Sequence, residues 1–312
     1  MNKLFKIFFL LLIMQMVVNC DNTNEEIAAT IPARDFTEQQ TADNLAIEDF
    51  LKTNKVDVDA DFNATFTKLT TVNDPNSIFI ANQNNTTNPT KLLFRMVTTN
   101  GITYKLYYLE INKGAGSRPT CYDDVLTSYR GNLITETTSF DENLNPETRF
   151  SLTRVIRSWF EIFPQFKGGT ISYNSNGGKI YSNSGSGVIF VPSGLGYYNV
   201  AQTNIPAYSN LIFKFKLNDV SRTDLDFDGI LNVDEDLNGD GYFDSNDNTD
   251  GDNSVNALDG DDDNDGYLTF YETKKPAGSL GSANYLFNDI PDCSGNTTNS
   301  TRVRKHLDVN CH

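Results

Sequence analysis

Oxygen-bearing side chains recur in one part of this chain at a spacing suited to a hard cation. Asp224, Asp226 and Asp228 are followed by Gly229, Ile230, Asn232 and, at the twelfth position, Glu235. In a twelve-residue calcium loop, short acids at positions 1, 3 and 5 point at one centre and Gly at position 6 makes the turn. Residue 7 gives its carbonyl, and a final acid closes the shell. The pattern returns from Asp236 through Asn238, Asp240, Tyr242 and Asp244 to Asp247. After a degenerate copy over 248–259 and Gly260, it returns again from Asp261 through Asp263, Asp265, Tyr267 and Thr269 to Glu272. These residues are the expected calcium ligands, at the weak affinity of exposed extracellular sites, ~10⁻⁴–10⁻³ M.

The charge is confined to the same stretch. From Asp224 to Glu272 there are fifteen Asp, two Glu and no Lys or Arg, which is −17 against −16 for the whole chain, so the rest sums to +1. Without a cation such a segment should repel itself and stay extended. Nucleic acid is not an expected partner. The loops abut, leaving no room for the helices that flank an EF-hand, and the arrangement resembles thrombospondin type 3 repeats.

A second constellation is aromatic. In chain order it comprises Lys113-Gly-Ala-Gly before Pro119, Tyr129-Arg-Gly-Asn-Leu, Phe140-Asp141, Phe150-Ser-Leu and Val155-Ile156-Arg-Ser-Trp159. Phe166-Lys-Gly-Gly169, Val191-Pro192 with Leu195-Gly-Tyr197, and Ile205-Pro206 ahead of Leu211-Ile-Phe213 follow. From about Gly101 to Val220 this order and spacing resemble the FKBP-type peptidyl-prolyl isomerases. The resemblance implies Trp159, the single Trp, as the floor beneath a proline ring, with Tyr129, Phe140, Phe150, Val155 and Phe213 as walls. It implies that the Ile156 backbone N–H and the Tyr197 hydroxyl hold substrate carbonyls, that Asp141 faces the twisting amide, and that Ile205 closes the rim. The chain departs from the family at Ser158, at Phe160, at Tyr198 where Gly is usual, and in a long insertion between Gly169 and Pro192.

The chemistry implied is physical rather than covalent. The barrier to turning an X–Pro bond, ~18–20 kcal/mol, is amide resonance lost on twisting. A dry apolar cavity favours the twisted, less polar amide, and one or two donors hold the carbonyl. No cofactor is required. The resemblance therefore implies a folding helper acting on proline-containing envelope or secreted polypeptides. The alternative is a non-catalytic peptide-binding or adhesion protein with a calcium-stiffened tail.

These residues must be positioned by strands. Runs such as 93–97, 104–111, 125–129, 188–191 and 211–217 are rich in β-branched and aromatic residues between Gly, Pro and Asn clusters, which predicts an antiparallel sheet. Residues 151–163 carry the one long helical pattern within it. The expected class is α+β, a sheet wrapped around one helix with an irregular calcium-loop segment behind it. A shorter amphipathic helix is predicted over 41–53, and the insertion predicts a hairpin with an Asn-Gly turn.

The N-terminus reads as an export signal. Lys3 and Lys6 flank Leu4 and Phe5 ahead of an apolar run, Ile7 to Val18, that is too short to span a bilayer. Cys20 directly after it resembles a lipobox, which implies acylation and attachment to a bacterial envelope membrane, with the outer membrane expected. The predicted organisation is 1–19 signal peptide, 20–40 lipidated tether, 41–100 helix and extension, 101–220 isomerase domain, 224–272 calcium repeats and 273–312 tail. Cys293 and Cys311 could pair in an exported protein, Cys121 is expected to be buried, and His306 to be solvated.

Overall fold

The structure is a computed structural model and describes residues 33–61, 63–71, 74–84 and 90–311. The predicted signal peptide and Cys20 lie outside the described residues. Helix α1, Phe36–Thr53, opens at Asp35, whose carboxylate accepts from the N–H groups of Thr37 (2.8 Å) and Glu38 (3.1 Å). That cap satisfies the donors a helix start leaves free, and it starts the helix ahead of the predicted Thr41, inside the stretch expected as tether. Gln39, Asp43, Ile47 and Leu51 form its buried stripe, one residue every fourth position. A hairpin of β1, Asn54–Val58, and β2, Ala64–Lys68, and helix α2, Ile78–Asn84, follow.

The main sheet has seven strands, all antiparallel. They are β3, Lys91–Thr99; β4, Ile102–Asn112; β5, Asp124–Leu133; β6, Ser139–Asn143; β7, Phe150–Ser151; β10, Gly185–Val191; and β11, Leu211–Ser221. The spatial order is β3-β4-β10-β11-β5-β6, with β7 also paired to β5. Strand β3 pairs with β4 along its whole length, so the sheet begins upstream of position 101. The chain is thus α+β with a large antiparallel sheet.

Both sheet faces are covered. Because side chains alternate along a strand, Leu106, Tyr108, Ile189, Val191, Leu211, Phe213, Phe215 and Leu217 pack on one face with Trp159, Ile162, Phe163 and Phe166. Tyr107, Leu109, Val188, Phe190 and Ile212 pack on the other with Ile47, Leu51 and Ile78 of the N-terminal helices. The apolar stretch of β4 reads as continuous for this reason. A second helical layer therefore lies behind the sheet, beyond the single wrapped helix predicted.

That single helix is also shorter than its pattern. Residues 152–154 form a 3-10 turn, Val155 and Ile156 are extended, and α3 runs only over Arg157–Ile162 before a second 3-10 turn at 163–165 that contains Pro164. The helical spacing of apolar residues persists across the break because both pieces pack on the same sheet face. The insertion forms a hairpin of β8, Thr170–Tyr173, and β9, Lys179–Ser182. Its turn has Gly177 at φ +78°, the left-handed conformation Gly adopts freely.

The acidic segment folds against this body; Asp35 to His312 form one compact unit. It contains two single-turn helices, α4, Asn232–Glu235, and α5, Thr269–Glu272. Arg118 donates to the carbonyls of Pro164 (2.6 Å), Gly239 (2.9 Å) and Asp240. Arg95 lies 3.5 Å over the ring of Tyr242, whose hydroxyl donates to the Glu161 carbonyl, and Phe243 stacks on Tyr122 at 4.5 Å. In the C-terminal part, exposed Cys293 lies within hydrogen-bonding reach of buried Cys311, and Cys121 is buried. His306 is buried, which corrects the expectation that it is solvated. Burial, then the charge of Arg304, holds its imidazole down at about 3. Among the described residues no helix is long and apolar enough to cross a membrane.

Candidate functional site

Trp159 sits on α3 with its ring buried among three aromatic walls. Tyr129 of β5 lies 5.2 Å away, Phe150 of β7 5.7 Å, and Phe213 of β11 5.3 Å with the planes at 89°. Edge-to-face contacts of this kind set ring edges against ring faces and fix the geometry of the floor. Phe140 of β6 stands 5.6 Å from Phe213, and Tyr129 is 5.8 Å from Phe150. Val155, Ile156 and Tyr197 are half-buried against the same cluster. Ile205, expected at the rim, is 5% exposed and packs into the cluster as wall. Nine of the ten predicted positions thus pack into one cluster, and Asp141 lies at its exposed edge.

That edge is polar. Tyr129 donates its hydroxyl hydrogen to Asp141 Oδ2 at 2.6 Å. Burial, followed by the Asp141 charge, pushes the Tyr197 phenol up, and burial followed by the hydrogen bond to Asp141 raises Tyr129. Both phenols therefore stay protonated at neutral pH and can donate. The N–H of Ile156 has no backbone acceptor among the described residues, because the residue is extended ahead of α3. It is available to a ligand carbonyl.

Two supports were invisible in the spacing of the aromatic set. Gly131 lies opposite both Asp141 and Phe213 in the sheet. A Cβ there would stand 2.6 Å from the Phe140 ring and 2.8 Å from the Phe213 ring, so the walls close over a missing side chain. The loop bearing Tyr197 is fastened from behind by α1. Asp43 Oδ2 accepts from the Ser193 N–H (2.8 Å) and Oγ (2.7 Å), and Gln39 Nε2 donates to Asp43 Oδ1 (2.8 Å). Tyr198 itself has φ +51° and stacks on Phe36 at 4.5 Å.

The acidic segment gathers carboxylates into foci. Within each of the groups Asp224, Asp226, Asp228 and Asp261, Asp263, Asp265, one oxygen per residue lies within 4.8 Å of the others. Asp250, Asp252 and Asp259 do the same, so the copy at 248–259 that the motif discounted is assembled as well. The second copy forms no such group among the described residues. Its Asn238 replaces a carboxylate, and Asp247 accepts from the N–H groups of Asn238 (3.3 Å) and Asp244 (3.1 Å). Gly229, Gly241 and Gly266 at position 6 have φ of +96°, +83° and +91°.

Position 9, predicted as a ligand at Asn232 and Thr269, also serves the backbone. Asn232 Oδ1 accepts from Leu225 N–H, Asn256 Oδ1 from Thr249 N–H, and Thr269 Oγ1 from Asp262 N–H. The same bond, from position 2 to position 9, thus laces three of the four loops.

The donor set fits calcium. Buried oxygens of Asp226, Asp228, Asp261, Asp263, Glu235 and Glu272 have no hydrogen-bond donor, which is costly unless a cation or proton meets them. Burial, then neighbouring carboxylates, drives Glu235 up to about 10, Glu272 to about 8 and Asp228 to about 7. Hard oxygen ligands with carbonyls such as Ile230, Tyr242 and Tyr267 at position 7 are those calcium takes. Bound calcium would neutralise the foci and fix the loops.

Fold and site together define an α+β protein with a cluster of aromatic residues around Trp159 and an acidic, loop-built C-terminal segment. A family model described as BamM C-terminal matches residues 225–300. The match over this stretch is to that family rather than to the thrombospondin type 3 repeats its spacing resembles. Among solved structures, the chain is similar to a peptidyl-prolyl cis-trans isomerase from Pseudomonas syringae pv. tomato, at 15% identity and TM-score 0.35, covering 61% of this chain and 99% of that one. It is also similar to FkpA from Escherichia coli, at 27% identity and TM-score 0.32, covering 41% of this chain and 51% of FkpA. The chain thus spans about half the length of FkpA. No curated protein sequence matches the chain.

Proposed function

We propose that the chain is an FKBP-like peptidyl-prolyl cis-trans isomerase and folding helper, exported and held at a bacterial envelope membrane by a lipid on Cys20. The observation that carries the isomerase reading is the Trp159 floor enclosed by Tyr129, Phe150 and Phe213, with the Tyr129–Asp141 pair at its edge. A proline ring seated on Trp159 leaves water behind, and the aromatic walls favour the twisted amide over the planar one. The Ile156 N–H and the Tyr197 hydroxyl hold flanking carbonyls, so the substrate backbone is anchored while one bond turns. Asp141, held by Tyr129, faces the twisting amide. Calcium in the acidic segment is structural in this scheme and takes no part in isomerisation.

The test is a proline-limited refolding assay with purified protein and a proline-containing client. Acceleration that is lost in Trp159→Leu supports the proposal. Refolding at the uncatalysed rate with the wild-type chain would sink it.

A further inference from the structure

Asp228 and Glu235 of the first loop form a further carboxylate group with Asp262 of the fourth; Glu235, expected to close the first loop's own shell, lies in this group and not in that of Asp224, Asp226 and Asp228. One oxygen from each lies within 4.8 Å of the other two. All three residues are buried, with relative exposures of 2%, 2% and 2%. Both oxygens of Glu235, both of Asp262 and Oδ2 of Asp228 lack any hydrogen-bond partner. Asp228 Oδ1 is engaged by the Ile230 N–H at 2.7 Å, which leaves Oδ2 unpartnered.

We infer that Asp228, Glu235 and Asp262 bind a further calcium ion, separate from those of the individual loops, that bridges the first acidic loop to the fourth. The spacing fits one ion: oxygens each 2.3–2.6 Å from calcium lie at most about 5 Å apart. No Lys or Arg of the segment 224–272 answers these three buried acids, so a cation there would relieve a burial that otherwise demands protons. Asp262 falls at position 2 of its loop, a place that loop chemistry leaves outside the shell. Its N–H is tied back to Thr269 Oγ1 at 3.1 Å, which turns the carboxylate toward the first loop. Asp228 belongs to both the first-loop focus and this one, so it stands between the two centres. The consequence is a cross-link between parts of the chain 27 or more residues apart, acting as a disulfide would to restrict the open states of the segment.

The inference adds to the loop-by-loop calcium assignment and is independent of isomerase activity. Native mass spectrometry of the full chain in calcium, compared with Asp262→Asn, counts the ions directly. The expected result is one calcium ion fewer in the variant, with the loop ions retained. An unchanged count overturns the bridging site and leaves the loop sites standing. No bound calcium in either protein overturns both. Should Asp262→Asn fail to fold, crystals of the unmutated chain grown with terbium decide the matter by anomalous scattering. A peak bounded by Asp228, Glu235 and Asp262 supports the site, and occupied loops with no peak there overturn it.

Discussion

Tyr129 and Asp141 face each other across the β5–β6 pair, the phenol donating to the carboxylate over 2.6 Å. The bond ties the one acid of the pocket to a wall residue that also meets Trp159 edge-on. A hydrogen bond to a charged group is worth about 1.5–3 kcal/mol where it is shielded, and less at an exposed edge. Tyr129→Phe keeps the ring and loses the tether. Catalysed refolding should fall about three- to tenfold in kcat/KM while thermal stability changes little, as read by the refolding assay beside calorimetry. A variant with full activity would remove Asp141 positioning from the scheme.

Gly131→Ala tests the closure of the walls. The added methyl would meet Phe140 at 2.6 Å and Phe213 at 2.8 Å, and overpacking of this kind costs roughly 1–3 kcal/mol. The rings must splay, so both melting temperature and refolding acceleration should drop. An Ala variant of wild-type stability would show that Phe140 has room to move.

Asp43 gives the fold a defined pH response. Burial raises its carboxyl, and the hydrogen bonds from Ser193 and Gln39 offset this only in part. The protonated form is therefore favoured more in the folded chain than in the unfolded one. Its stabilising contribution is complete below the unfolded value of about 3.9 and is lost as pH rises through the elevated native value. Asp43→Asn does not titrate and can still accept from Ser193. The difference in melting temperature between wild type and variant should shift toward the variant as pH rises from 4 to 7. A difference independent of pH would refute the assignment.

Nine of the ten positions singled out by the aromatic pattern meet in one cluster, carried by the sheet, by the start of α3 and by the loops that bear Tyr197 and Ile205. What the sequence hid was support from a distance. Asp43 reads as a polar helix position, and only the packing of α1 against the Ser193 turn makes it a buried fastener. The copy at 248–259 was discounted because Asn253 stands where Gly is expected, yet Asp250, Asp252 and Asp259 still converge. Position 9 offers an oxygen that spacing alone assigns to a cation, and the fold also uses it to accept from the N–H at position 2.

Tyr198 shows how a departure from the family pattern is accommodated. The position needs φ +51°, which Gly adopts freely and a Tyr only at a cost of about 1 kcal/mol or more. The stack on Phe36 at 4.5 Å, worth about 0.5–1.5 kcal/mol, offsets the strain and clamps α1 to the Tyr197 loop. Tyr198→Gly should thus leave global stability within about 1 kcal/mol of wild type, while amide exchange near Phe36 and Asp43 accelerates. A large loss of stability would mean that the stack outweighs the strain.

Arg118 joins the acidic segment to the helix bearing Trp159. Its guanidinium meets carbonyls on both sides of the junction, Pro164 on the body and Gly239 and Asp240 on the second loop. Arg118→Ala leaves all three acceptors without their donor, and Gly241 stands against the space vacated. Three charge-assisted bonds lost at a half-buried junction should cost about 2–4 kcal/mol of local docking. The pocket residues keep every contact described for them. Limited proteolysis within 236–247 should therefore accelerate at least tenfold while refolding activity stays within about twofold. Activity that collapses together with docking would instead make the acidic segment a working part of the isomerase, acting on Trp159 through Tyr242 and the Glu161 carbonyl.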